Sequence, residues 1–349
     1  MKKTVYMWVG SNFKYNSLNL QAKLLSDSLS KMGVDVVNIR PGKINFLKRL
    51  VNIKGLSSTI FWHYGGFDLT LVPFIFSHKI IFIYHNITPA RFFWRNQPLV
   101  ALRSLLGRLQ LRCISRERIW IAVSEFNFAE LKSLGFKNVY LCPCIVDSPS
   151  FKNENKCNKT KYISLLYTGR ISPNKNCVEL LNQTALAAEI LSLPIELTIV
   201  GDVKRGCRYG DAFQRKLDDL RSHPWLTINW RRDGVRKQEL ELLYSRAWLY
   251  VSMSLHEGFG LPVCEAIRHG TPALFVECGG TESAVKGHGM VPEFDKLRYH
   301  WHLCKLIKSD ISRDNLLRLQ LDEAMNFSKP RVDETVFEVY SPLLPNCEP

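Results

Sequence analysis

Ser252-Met-Ser-Leu-His-Glu-Gly-Phe-Gly-Leu-Pro-Val-Cys-Glu-Ala-Ile-Arg-His-Gly-Thr-Pro-Ala-Leu-Phe-Val276 is the stretch on which the fold turns. An apolar run from Trp248 to Met253 reads as a buried strand. It enters a glycine loop, Glu257-Gly258-Phe259-Gly260-Leu261-Pro262. Val263, Ala266 and Ile267 then recur at helical spacing, and Gly270 ends the helix. A second apolar run, Pro272 to Val276, follows at once. Strand, glycine loop, helix and strand make one βαβ unit, so the sheet is parallel. In open parallel sheets ligands bind where a strand ends and a helix begins, because the helix start offers N–H groups and the positive end of its dipole.

Two carboxylates bracket this loop, Glu257 on the turn and Glu265 in the helix, with seven residues between them. The spacing, the Gly-Phe-Gly-Leu-Pro between the acids and the later Gly279-Gly280-Thr281-Glu282 resemble the E-x7-E signature of retaining glycosyltransferases, in particular family 4. The resemblance implies the GT-B fold: two doubly wound Rossmann-like α/β domains facing across a cleft. It also implies that Glu257 contacts donor-sugar hydroxyls, that Glu265 binds the nucleotide ribose, and that Gly258, Phe259, Gly260 and Leu261 line the donor.

Upstream, Ile163 to Thr168 reads as a strand ending in Gly169-Arg170-Ile-Ser-Pro-Asn-Lys175, before a helix over 178–191. Guanidinium and ammonium groups beside a helix start suit a diphosphate. Alone, they are equally two surface cations at a turn. The string is similar to the family's Gly-Arg-x-x-x-x-Lys, whose cations hold the nucleotide diphosphate, which assigns that role to Arg170 and Lys175. A third strand, Ile195 to Val200, ends at Gly201-Asp202; the family's second glycine is replaced by Val203. Asn229, Trp230 and Arg231 stand where the family contacts the base.

Charge divides the chain. Residues 1–150 hold 20 Lys+Arg against 7 Asp+Glu, so most of the net +15 lies there. This imbalance calls for an anionic partner. Val5 to Val9 reads as the first strand, with Gly10 at the turn after it, a position for close approach of a donor or simply a βα turn. No G-x-G-x-x-G follows, which argues against a nicotinamide cofactor. Ile80 to Tyr84 reads as a strand leading into His85-Asn86-Ile87-Thr88-Pro89. A His-Asn-Ile-Thr-Pro string recurs in a subset of bacterial family 4 enzymes, and the resemblance places His85 against the donor sugar. His63 and His78 have no such context. Across 98–118, Leu102, Leu105, Leu106 and Leu109 keep a helical period, and Arg108, Arg112 and Arg116 fall on one face beside Arg103. This is either a basic amphipathic helix lying on anionic lipid or a packed helix with a solvated arginine face. No nucleic-acid motif appears, and aromatics do not interleave with the arginines.

The 349 residues suit two domains: an acceptor domain over 1–150, a polar linker over 151–161, a nucleotide-sugar domain over 162–328, and a final helix over 329–349 returning to the first domain. No apolar run approaches the ~18 residues of a membrane span. The ten cysteines lack metal spacing and read as reduced, packed thiols of a cytosolic protein. The expectation is a retaining transferase needing neither metal nor cofactor. It moves a sugar from a nucleotide-sugar to a lipid-linked or lipopolysaccharide-core glycan at the inner face of the plasma membrane. A sugar-nucleotide epimerase, a phosphorylase and a non-catalytic carbohydrate- or membrane-binding scaffold are the alternatives.

Overall fold

The computed structural model describes residues 3–9, 17–39, 59–71, 79–146, 162–204, 206–292 and 295–344. Gly10, His78 and the linker 151–161 lie outside them. The chain forms two compact units: one holds residues up to Ile87, Leu102–Ile145 and the segment from Phe327, and the other holds Thr88–Ala101 and Val146–Asn326.

The first unit is built on a parallel sheet in the order β2-β1-β3-β4-β5-β6. Its strands are β1 Lys3–Val9, β2 Val34–Ile39, β3 Thr59–Tyr64, β4 Lys79–Tyr84, β5 Ile119–Ala122 and β6 Asn138–Leu141. All six residues of β3 are buried, as expected where helices cover both faces of a parallel sheet. Aromatic rings fill the interior: Trp8 stacks on Trp62 at 4.8 Å, and Phe82 on Trp120 at 4.4 Å. The helix Lys329–Tyr340 packs against the helix Ser17–Lys31. Asp333 takes Lys31 at 2.8 Å and the Ser28 hydroxyl. Tyr340, fully buried, sits against Phe61.

The second unit repeats the architecture with the order β12-β11-β10-β7-β8-β9. Its strands are β7 Ile163–Thr168, β8 Ile195–Val200, β9 Leu226–Arg231, β10 Leu249–Ser252, β11 Ala273–Val276 and β12 Met290–Val291. β7, β8 and β9 run in continuous register. The apolar pattern locates β7 and β8 to the residue. It misses the helix Arg208–Asp219 and β12. The helix is mostly polar, yet Tyr209, Phe213 and Leu217 recur four apart and pack on the core, a stripe at helical spacing that the reading of the sequence passes over.

Among the described residues, no helix is long and apolar enough to cross a membrane, and no group of three or more His, Cys, Asp or Glu could hold a metal ion.

Candidate active site

In the second sheet β7 lies between β8 and β10, so the chain winds outward from β7 in both directions. Such a switch point opens a crevice at the carboxyl ends of the strands. Three turns meet there. The Gly169 N–H donates to Val200 O at 2.9 Å and the Ile171 N–H to Asp202 O at 2.8 Å, which ties the turn after β7 to the turn after β8. On the other side the Leu255 N–H donates to Asn174 O at 2.8 Å, tying it to the loop after β10. Residues far apart in sequence, Arg170, Lys175, Gly201 and Glu257, are thereby brought together at one edge.

The turns touch backbone to backbone. A Cβ on Gly201 would lie 1.9 Å from Gly169 O, and one on Gly280 would lie 2.1 Å from Gly258 O. The second approach clamps the 257–260 loop: the Glu257 N–H donates to Cys278 O, and the Gly280 N–H returns to Glu257 O at 3.0 Å. Gly260 has a left-handed φ of 87° and starts the helix Leu261–Arg268. Pro262 in its first turn has no N–H and therefore offers a ligand no donor, and the Val263 N–H is spent on Gly260 O.

Lys175 and Glu257 form an ion pair at 2.5 Å, each only about one-sixth exposed, at 15% and 16%. Arg170 is exposed at the mouth of the same turn. Glu265 faces inward from the helix, and its Oε2 accepts from the Tyr244 hydroxyl at 2.8 Å. Tyr244 and Thr168 are site residues that the sequence reading passed over. Nothing in the sequence around Tyr244 shows its hydroxyl aimed at Glu265. The stretch named for base contact is in part committed elsewhere: the Trp230 indole donates to Gly201 O at 2.9 Å.

In the first unit His85 stands at the end of β4, its N–H bonded to Tyr64 O. Its Nε2 lies 2.7 Å from Nδ1 of His63. The rings are 18° from parallel with centroids 5.0 Å apart. No face-to-face stack brings ring nitrogens that close, so the rings lie edge to edge and share one N–H···N bond. Burial pushes His85 down to about 3. It pushes His63 well down too, with the neighbouring His85 adding to the effect. Both are therefore neutral near pH 7. His63, set aside in the sequence, is brought to His85 by the β3–β4 register, which pairs His63 with Ile83 two residues before His85.

The arginine face expected on the 98–118 helix does not exist as read. The helix is Pro98–Cys113, so Arg116 lies beyond it, with its guanidinium over the Phe136 ring. Arg108 points inward: it pairs with Glu130 at 2.8 Å and forks onto Ile87 O at 2.7 and 3.1 Å. It thus props the turn that carries His85, and Glu130 also takes the Tyr84 hydroxyl. Gly107 lies against the backbone of Gly66 and Phe67. With Gly107, Arg108 and Leu111 turned inward, the leucines turn outward: Leu102 is 45% and Leu109 46% exposed, between exposed Arg103 and Arg112.

Residues 129–295 match the model described as "Family 4 Glycosyltransferase in conflict systems". No curated protein matches the chain. Among solved structures it is similar to sucrose-phosphate synthase from Thermosynechococcus elongatus, with TM-score 0.75 and 15% identity over 98% of this chain and 99% of that one. It is similar to HepE from Anabaena in complex with UDP and glucose, with TM-score 0.74 and 13% identity over 97% and 100%. It also resembles WaaG, a glycosyltransferase involved in lipopolysaccharide biosynthesis, with TM-score 0.70 and 14% identity over 97% and 99%. At these identities the shared property is the fold, two parallel-sheet units in the GT-B arrangement.

Proposed function

We propose that this chain, whose 129–295 stretch matches that model and whose fold is that of GT-B enzymes, is a family 4 glycosyltransferase acting on a nucleotide-sugar, and that its residues divide the work as follows. The observation that carries the reading is the Lys175–Glu257 pair at the junction of three strand-end turns, with Arg170 beside it. The diphosphate lies on Arg170, Lys175 and the N–H groups of Gly260 and Leu261. Gly169, Gly201, Gly258 and Phe259 shape its bed. Glu265 takes ribose hydroxyls and Glu257 sugar hydroxyls. His85, neutral and held by His63, is a hydrogen-bond partner for a sugar oxygen.

In the transfer step the bond from the anomeric carbon to the diphosphate oxygen breaks, and its electron pair stays on the diphosphate. The acceptor hydroxyl oxygen forms the new bond to carbon, and its proton passes to the departing phosphate oxygen. Two cations and a helix start stabilise the charge that develops. No divalent metal or cofactor belongs to this reading. Neutral imidazole at His85 suits a hydrogen bond and not a counter-charge.

The acceptor in this reading is a lipid-linked or lipopolysaccharide-core glycan at the inner face of the plasma membrane. The exposed leucines of the Pro98–Cys113 helix, flanked by Arg103 and Arg112, support it, as does the excess positive charge of residues 1–150. Arg108 and Arg116 drop out of that surface.

Three measurements test this. A panel of nucleotide-sugars is expected to raise the melting temperature for one base above the others, since a ligand that binds only the folded state stabilises it. Nucleoside diphosphate is expected to appear only when an acceptor glycan is added; release without one would mark hydrolysis, and an altered sugar-nucleotide with no release would mark an epimerase. Sedimentation with phosphatidylglycerol vesicles is expected to exceed that with phosphatidylcholine and to weaken as salt rises. It is expected to drop further in Leu102→Asp/Leu109→Asp. Binding indifferent to salt and to those substitutions would remove the membrane from the account.

A further inference from the structure

Tyr244 lies on the helix Lys237–Arg246, is fully buried, and takes no part in the roles assigned above. Its hydroxyl donates to Glu265 Oε2 at 2.8 Å and lies 2.7 Å from Thr168 Oγ1. A carboxylate only accepts, so the tyrosine proton is committed to Glu265. The second bond must then be donated by Thr168. The order of protons is fixed: Thr168 to Tyr244 to Glu265. Each donor in such a row polarises the next. Burial, and after it the Glu265 charge, holds the phenol well above its usual range, so it remains a donor.

The row is braced from several elements. The Tyr250 hydroxyl, from β10, donates to Thr168 O at 3.2 Å. His269 stacks on the Tyr244 ring at 5.3 Å, with its Nδ1 2.7 Å from Glu265 O. The Thr271 hydroxyl donates to Tyr244 O. Glu265 is thus gripped at its side chain by Tyr244, and at its backbone by a ring that rests on Tyr244.

We propose that Tyr244 is the positioning residue for Glu265, and that through Glu265 it sets the preference of the site for ribonucleoside over deoxyribonucleoside diphosphates. The proposal rests on the reading of Glu265 as the ribose ligand. A carboxylate has about four lone-pair sites, and the tyrosine occupies one. The arrangement fixes which way the others face. Vicinal ribose hydroxyls are donors matched to such an acceptor, and a site built to accept a hydroxyl rejects the analogue that lacks it, because the buried acceptor is then left unmatched. Tyr244 touches no ligand in this scheme; it acts only through Glu265.

The test is a binding series by calorimetry with uridine, guanosine and adenosine diphosphate and their 2′-deoxy and 3′-deoxy counterparts. The proteins are wild type, Glu265→Gln, Tyr244→Phe, Thr168→Val and Tyr250→Phe. Tyr244→Phe keeps the ring and its packing. It is expected to cut the preference for the ribonucleotide about tenfold, the effect of losing one hydrogen bond to a charged group. Deoxynucleotide affinity should change little. Thr168→Val is expected to move the preference in the same direction by less. Tyr250→Phe, which removes a brace to backbone only, is expected to leave the preference as in wild type.

Equal weakening of ribo and deoxy ligands by Tyr244→Phe, with the preference lost in Glu265→Gln, would overturn the tyrosine's role and leave the Glu265 assignment standing. A preference that survives in Glu265→Gln would overturn both. Should Tyr244→Phe fail to fold, Thr168→Val carries the same comparison, and an unchanged preference there overturns the proposal.

Discussion

Arg170→Ala is expected to melt as wild type does and to lose on the order of 10²–10³ of its turnover, the usual result of removing one preorganised group that meets charge in the transition state. Arg170 is exposed at the end of the turn after β7, so its loss should cost the fold little. Lys175→Ala is expected to lose turnover to a similar degree but also to melt earlier. Its ammonium is largely buried against Glu257 at 2.5 Å, and removal strands a carboxylate. Breaking a fully buried pair costs about 3–5 kcal/mol; partial exposure here brings the expectation to about 2. Adding Glu257→Gln to Lys175→Ala should recover part of that stability and none of the transfer, because the stranded charge is gone while the phosphate cation is still missing. Thermal melts and acceptor-dependent release of nucleoside diphosphate read both quantities. Full turnover in Arg170→Ala and Lys175→Ala would end the diphosphate assignment.

Gly201→Ala is expected to be the most damaging single methyl in the second unit. Its Cβ would stand 1.9 Å from Gly169 O and 2.8 Å from Gly169 C. Those are backbone atoms, so no rotamer change relieves the clash, and the turns after β7 and β8 must part. The cost is about 3 kcal/mol or more, at the upper end of overpacking effects. It falls on the turn that presents Arg170, so nucleotide binding should be lost with it. Gly234→Ala is the control. Gly234 has φ of 76° with nothing within 4 Å of the added carbon, so only left-handed strain remains, about 1–2 kcal/mol. Denaturant melts should separate the two clearly. Equal effects would mean that the close approach of the two turns does not matter.

These outcomes also mark what the sequence could and could not disclose. The 252–276 stretch and the 169–175 turn were legible because strand, glycine and helix follow one another within a few residues, and local order alone defines a strand-end turn. The bonds from turn to turn were not, since the neighbours come from β8, β10 and the Cys278–Gly280 turn. Tyr244 and Glu265 are 21 residues apart, as are several unrelated pairs, and only the packing of two helices selects this one. The Pro98–Cys113 helix misled for a different reason. Leucine periodicity pointed to a buried face, yet Arg108 finds Glu130 and the Ile87 carbonyl, and a satisfied guanidinium outranks a leucine for the inner position. A half-buried arginine can turn inward where its fork finds a carboxylate and a carbonyl, which composition never reveals.

The contact between Lys175 and Glu257 has one more outcome. Orthophosphate arriving alone would draw lysine charge away from the acid and offer the acid nothing in exchange. A sugar nucleotide brings anionic oxygens for the one and hydroxyls for the other, so both partners are compensated together. On the proposed roles, the pair would favour a visitor that carries both halves over one that carries the phosphate alone.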